Sequence, residues 1–123
     1  MSYNLNIELR ESATQMQDLV TRKSLMSLLE TKDPAQVIGR ALWALFQRQT
    51  QAEKQSNTTH NINFVGFSQP DARSGCLTAK YWKKHGTLLD WQVEQWIRDW
   101  RGSPRIVKYY RQLNQIANER RQS

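Results

Sequence analysis

Apolar positions recur at helical spacing along most of the chain, and this pattern predicts five helices. Asp-Pro, Ser-Pro and single glycines separate the periodic stretches, as is typical of residues that begin or end helices. The predicted helices cover about residues 12–31, 34–54, 70–84, 87–100 and 104–120. Polar and apolar residues alternate only at the N-terminal end, over residues 4–9, which predicts a short extended segment there. The expected fold class is therefore all-α.

The chain has 123 residues, a length that favours one small domain. Within it, residues 12–54 are predicted to form a near-neutral helical hairpin, residues 55–68 a loop, and residues 69–123 a basic part of three helices. Residues 55–68 are rich in Ser, Asn, Thr and Gly. They also include apolar side chains such as Phe67, so we expect a long loop within one domain and not a flexible linker.

Several classes of protein are disfavoured by composition. Cys76 is the single cysteine, which excludes an internal disulfide framework and is typical of a reducing compartment. The N-terminus lacks the basic and apolar regions of a secretory signal. No apolar run approaches the ~20 residues that a membrane span needs. The sequence thus predicts a cytoplasmic protein without a membrane partner.

Positive charge is concentrated in the second half of the chain. Residues 1–68 carry seven Lys/Arg and six Asp/Glu, whereas residues 69–123 carry eleven and five, within a formal net charge of +7. An excess confined to one half indicates a basic surface and not general solubility charge. The positive charge is consistent first with nucleic acid as the partner, and after it with an acidic protein or an anionic membrane surface.

Aromatic residues are interleaved with this positive charge, and ten side chains are candidates for binding nucleic acid or a partner protein. They are Lys80, Tyr81, Lys83, Lys84, His85, Trp91, Arg101, Arg105, Lys108 and Arg111. Cations at helical spacing match a run of backbone phosphates. An exposed Tyr81, Trp82 or Trp91 could stack on an unpaired base. The competing interpretation places the aromatics in the core and the cations on solvated faces.

On the fourth predicted helix, the position of each tryptophan indicates which of these two interpretations applies to it. One face of it is predicted to pack inward and comprises Leu89, Val93, Trp96, Ile97 and Trp100. Trp91 lies off that face and is therefore free for another role. On the fifth helix, Arg105, Lys108 and Arg111 follow at steps of three and are predicted to share an outward side.

No catalytic constellation is evident in the sequence. Cys76 has no family signature around it that would pair it with His60 or His85. The chain contains no Gly-rich phosphate loop or metalloprotease motif. Asp71 and Asp90 are best explained as helix-start residues. We therefore expect no enzyme activity, no cofactor and no metal.

Residues 60–118 resemble a module found in small, mostly uncharacterised helical proteins of bacteriophages, prophages and plasmids. The resemblance rests on Val65-Gly66-Phe67, Asp71-Ala72, Ala79-Lys80-Tyr81, Gly86-Thr87-Leu88, Trp91-Gln92, Arg105-Ile106, Lys108-Tyr109 and Gln112-Leu113. It implies a mobile-element protein in a bacterial cytoplasm that acts in DNA metabolism or blocks a host defence complex. Similar modules have Lys where this chain has Trp91, and they supply no catalytic residues.

Three functions are consistent with these observations. The first is non-enzymatic nucleic-acid binding through the basic, aromatic-rich helices. The second is inhibition of a host nuclease or CRISPR complex through the same surface. The third is an oligomerisation module, in which the apolar stripe over residues 37–46 pairs two chains into a homodimer.

Overall fold

The computed structural model describes residues 17–56, 66–100 and 102–122, with the backbone alone for residues 52–56 and 99–100. The extended segment predicted over residues 4–9, residues 57–65 of the predicted loop and the candidate Arg101 lie outside the described residues. No helix in the described part of the chain is both long enough and apolar enough to cross a membrane.

The all-α fold class predicted from the sequence is confirmed, and the described residues form five α-helices and one very short hairpin. The helices are α1 (Arg22–Thr31), α2 (Pro34–Ser56), α3 (Ala72–His85), α4 (Asp90–Ile97) and α5 (Tyr110–Gln122). A 3-10 turn at Gln69–Asp71 leads into α3, and a second one at Arg105–Tyr109 leads into α5. Strands β1 (Asp99–Trp100) and β2 (Ser103–Pro104) form the hairpin.

Helix α1 begins later than predicted because side chains of α5 hold the preceding backbone in a non-helical path. Asn118 accepts from the Gln17 amide at 2.8 Å and donates to the Gln17 carbonyl at 2.8 Å. Asn114, one turn earlier on α5, accepts from the Val20 amide at 2.9 Å. The helix then starts with a reciprocal capping box between Thr21 and Ser24.

Helix α4 ends at Ile97, three residues earlier than predicted, because the chain reverses in the hairpin. The strands pair antiparallel with Asp99 opposite Pro104. Gly102 has φ of 85°, which glycine adopts without the steric penalty of a side chain. Pro104, predicted to begin the last helix, lies in β2, and the 3-10 turn follows it.

The predicted inward face of α4 is only partly correct. Trp96 is fully buried, but Leu89 is 44% exposed and Ile97 is 36% exposed. Leu89 is the extended N-cap residue, so it does not continue the face of the helix. Gln92 is buried instead and accepts from the Leu89 amide at 2.8 Å. The side chain of Trp100 is outside the described part.

The core is organised around α2, which packs mainly on α3. Its residues Ile38, Leu42 and Leu45 have no exposed surface. The apolar stripe over residues 37–46 was one candidate for pairing two chains. At these three positions it is covered by other parts of the same chain. The same core includes Trp96 and Ile106, so α4 and the second 3-10 turn are fixed to it.

Replacing Gly39 with alanine is expected to destabilise the protein by about 1–3 kcal/mol. A Cβ atom at this position would lie 2.0 Å from Cδ1 of Trp82, so the indole ring would have to move. Urea unfolding followed by tryptophan fluorescence measures the change. Gln47→Ala, on the exposed side of the same helix, should leave the midpoint nearly unchanged. An equal midpoint for the two variants would contradict close packing of α2 on α3.

Candidate nucleic-acid interface

Helix α3 presents a stripe of mostly basic side chains to solvent. Arg73, Leu77, Lys80 and Lys84 follow at steps of four, three and four, the spacing of one helix face, and all are exposed. The opposite side of the helix is closed by small buried residues, among them Gly75, on which the Phe67 ring packs. Core packing therefore orients the stripe outward.

Helix α2 extends this surface with aromatic rings that lie beside the lysines. The Nζ atom of Lys83 is 5.4 Å from the ring centroid of Trp43, and that of Lys80 is 5.4 Å from the ring centroid of Phe46. The two rings are themselves 5.4 Å apart. Arg40 is exposed one turn before Trp43. We call Arg40, Arg73, Lys80, Lys83 and Lys84 the basic face.

The charges of the basic face are not neutralised by carboxylates in the described part of the chain. The ion pairs there join Arg48 to Glu119 and Arg105 and Lys108 to Asp71, and none of them involves the basic face. Residues 72–85 contain no Asp or Glu, and neither do residues 34–51. Cations gathered on one side of two packed helices produce a positive potential that attracts anions.

The end of α3 gives some of these cations a second, structural role. Gly86, with φ of 72°, caps the helix, and its amide donates to the Trp82 carbonyl at 2.7 Å. Lys83 and Lys84 lie in the last turn, where positive charge is favoured by the helix dipole. Arg73 lies about three turns before that end, and Arg40 lies on another helix. The dipole at the end of α3 therefore does not explain why these two positions are cationic.

The predicted aromatic contacts are dispersed over several sites. Tyr81 is half-buried, and its ring stacks on His85 with the centroids 4.2 Å apart. Trp82 is half-buried against Gly39. Trp91 is 61% exposed on α4, as its position off the inward face had indicated. Its neighbours along the helix surface include the exposed Asp90 and Glu94.

The side chains of Arg105 and Lys108 are directed inward to a buried carboxylate. Asp71 is 1% exposed and accepts from Arg105 Nε at 3.0 Å, from Lys108 Nζ at 2.6 Å and from the Tyr109 hydroxyl at 2.5 Å. A second nitrogen of Arg105 bonds to the same carboxylate. Asp71 was predicted as a helix-start residue, but it makes no capping hydrogen bond.

Arg105 and Lys108 were predicted from their step of three to share an outward side, but the side they share faces inward. Residues 105–109 form a 3-10 turn with about three residues per turn, so these two side chains share one side. That side faces Asp71 and not solvent, and the two side chains are only 26% and 17% exposed. Arg111, on α5, is exposed, and its Nε donates to the Tyr110 hydroxyl at 3.0 Å.

Burial and the surrounding donors act in opposite directions on the pKa of Asp71. Burial raises it, but hydrogen bonds from Lys108, Tyr109 and Arg105 and the charge of Lys108 outweigh burial, so the pKa lies below the ordinary 3.8. Burial and, after it, the Asp71 carboxylate raise the pKa of Tyr109 from 10.0 to about 12. The cluster is therefore an ionised aspartate bound to protonated donors at neutral pH.

The stability that depends on Tyr109 is expected to disappear in strong alkali. Its folded pKa of about 12 exceeds the ordinary 10.0, so the contribution is complete below pH 10 and is lost as the pH rises towards 12. Two pKa units correspond to about 3 kcal/mol. Comparing urea unfolding of the native chain and Tyr109→Phe at each pH cancels the other titrating groups. A difference between them that stays constant from pH 9 to pH 12 would contradict the buried hydrogen bond to Asp71.

The basic face and the rings beside it include residues that the sequence did not single out. Arg40 and Trp43 lie off the apolar stripe of α2, and this position could have indicated that both side chains lie at the surface. Phe46 was assigned to the stripe, and its ring is half-buried beside Lys80. The contact of these rings with lysines more than thirty residues away could not be read from spacing along one helix.

Comparisons with known proteins identify no relative of this chain. No protein-family model, no curated protein and no solved structure matches the chain. The resemblance to small proteins of phages and plasmids therefore stays a prediction. Among the described side chains, no group of three His, Cys, Asp or Glu residues could hold a metal ion.

Proposed function

We propose that the protein is a nucleic-acid-binding protein that contacts backbone phosphates through the basic face. The observation that carries this proposal is the exposure of five cations on the adjoining helices α2 and α3, where they form no ion pair with any described carboxylate. Phosphate contacts of this kind are independent of base sequence, so binding is expected to be sequence-tolerant.

The ten side chains predicted from the sequence contribute unequally to this proposal. Lys80, Lys83 and Lys84 are exposed on the basic face and are assigned to phosphate contact. Arg105 and Lys108 are assigned to the Asp71 cluster, which supports the fold. Trp91, Tyr81 and His85 have no assigned phosphate contact, and neither does Arg111, which lies on α5.

Binding that depends on phosphate contacts weakens steeply with salt. Five contacts correspond to an affinity loss of about 500-fold between 50 and 200 mM monovalent salt for a DNA duplex. Fluorescence anisotropy with labelled single- and double-stranded DNA and RNA at both salt concentrations tests the proposal. Absence of binding to all four probes at 50 mM salt would end it.

A second candidate function is inhibition of a host nuclease or CRISPR complex by binding one of its proteins. Leu77 favours this candidate because it is 61% exposed in the middle of the basic stripe. Protein interfaces have an apolar centre and a polar rim, and Leu77 with the cations around it has that arrangement.

Replacing Leu77 separates the two candidates. Leu77→Gln should leave affinity for nucleic acid within about twofold, since the change removes no charge. It should greatly weaken a protein complex centred on that side chain. A complex from nuclease-treated bacterial lysate that forms with the native chain and is lost with Leu77→Gln would favour inhibition.

A further inference from the structure

Building on the nucleic-acid binding proposed above, we infer that the ligand of the basic face is a duplex, contacted along its backbone, and not a single strand. Proteins that bind single strands combine a basic groove with exposed aromatic rings on which successive bases stack. The described rings and cations of this chain are arranged differently.

The two rings beside the basic face are partly covered by the core and by lysine side chains. Trp43 and Phe46 are both half-buried and pack against the core. Each also has a lysine ammonium group at 5.4 Å from its centroid. An unpaired base would have to displace these ammonium groups, which are the same groups that would bind its phosphate.

Among the other described aromatic side chains, Tyr81 and Trp91 do not supply a stacking site beside the cations. Tyr81 is half-buried and already stacked on His85. Trp91 is well exposed, but Asp90 and Glu94 are exposed within one turn of it. Carboxylates within one helical turn of Trp91 repel the phosphates that accompany a stacked base.

The cations, in contrast, suit a stiff and densely charged ligand. Arg73 and Lys84 lie eleven residues apart on one helix, which is about 16 Å at 1.5 Å per residue. A duplex carries one charge per ~1.7 Å of axis and releases more counterions per contact than a single strand does. With five contacts, the salt exponents are about −4.5 and −3.5, so a duplex and a single strand that bind equally at 1 M salt differ about tenfold in favour of the duplex at 100 mM.

The test uses the full chain with a 20-base-pair DNA duplex, a 20-base-pair RNA duplex and the separate strands of each, all carrying the same fluorophore. At 100 mM salt we expect at least one duplex to bind about tenfold more tightly than its strands. Phe46→Leu, which removes a ring but no charge, and Trp91→Ala should each change every affinity by less than twofold.

The outcomes that overturn this inference differ from those that overturn the proposed function. Single strands bound as tightly as both duplexes, or a loss of about fivefold or more on Phe46→Leu or Trp91→Ala, would overturn the duplex assignment while nucleic-acid binding stood. Absence of binding to every probe, even at 50 mM salt, would overturn both. Circular dichroism of the two variants checks that they retain the helical fold.

Discussion

Asp71→Ala is expected to lower the free energy of unfolding by about 3–5 kcal/mol, because it leaves two mostly buried cations without their carboxylate. Arg105 and Lys108 are 26% and 17% exposed, so water compensates them only in part. Asp71 also accepts from the Tyr109 hydroxyl, so the substitution removes that buried hydrogen bond as well. A small domain has only about 5–15 kcal/mol of stability in total. Urea unfolding followed by tryptophan fluorescence measures the effect.

Two matched variants show whether the effect comes from the buried charge. Asp90→Ala removes an exposed carboxylate from the first turn of α4 and should change stability by less than about 1 kcal/mol. Adding Arg105→Leu and Lys108→Met to Asp71→Ala removes the two cations that had bound the carboxylate and should recover much of the loss. Equal stability of Asp71→Ala and Asp90→Ala would contradict the role of the cluster.

The stability that Asp71 contributes should also be lost in acid, when its carboxylate becomes protonated. The pKa of Asp71 is lowered, so its contribution is present above the ordinary 3.8 and is lost as the pH falls below that value through the folded pKa. The stability difference between the native chain and Asp71→Ala should therefore be constant near neutral pH and shrink below about pH 4.

Changing Lys80, Lys83 and Lys84 together to glutamine is expected to weaken duplex binding by about 500-fold at 100 mM salt. Each phosphate contact contributes about 0.9 log units of affinity at 0.1 M relative to 1 M salt, and three contacts contribute about 2.7. The salt exponent should become less negative by the same 2.7. Anisotropy titrations with a 20-base-pair duplex at several salt concentrations measure both quantities.

The control for this triple variant removes the same charge elsewhere. Arg22→Gln, Lys23→Gln and Lys32→Gln together take three exposed cations from α1 and its C-cap. Because α1 packs mainly on α2 and the second 3-10 turn, and these cations are outside the basic face, binding should weaken by less than about tenfold. Equal losses for the two triple variants would mean that net charge, and not the basic face, drives binding.

Several elements of the fold could be predicted because their signals are local. The periodicity of residues 34–54 predicted α2, and the start and stop residues around 70–86 predicted α3 to within about two residues. Gly86 was correctly identified as the C-cap of α3. The exposure of Trp91 followed from its position off the apolar face of α4.

Errors arose where a distant partner replaced a local interaction. Asn114 and Asn118 bind the backbone before α1 from a position more than ninety residues later in the chain, and so they delay that helix. The hairpin at residues 99–104 shortens α4, although its residues also have helical spacing. Asp71 has the position of a helix-start residue, but three donors from the second 3-10 turn take its carboxylate.

The sequence by itself determined the all-α class, the identity of most helices and the concentration of positive charge in residues 69–123, because periodicity, capping and composition are properties of neighbouring residues. Only the tertiary structure decided which cations face solvent. It placed Lys80 and Lys83 beside the rings of α2, and it turned Arg105 and Lys108 onto Asp71. The physical reason is that the exposure of a charge depends on what packs against its helix, and that partner is contributed by another part of the chain.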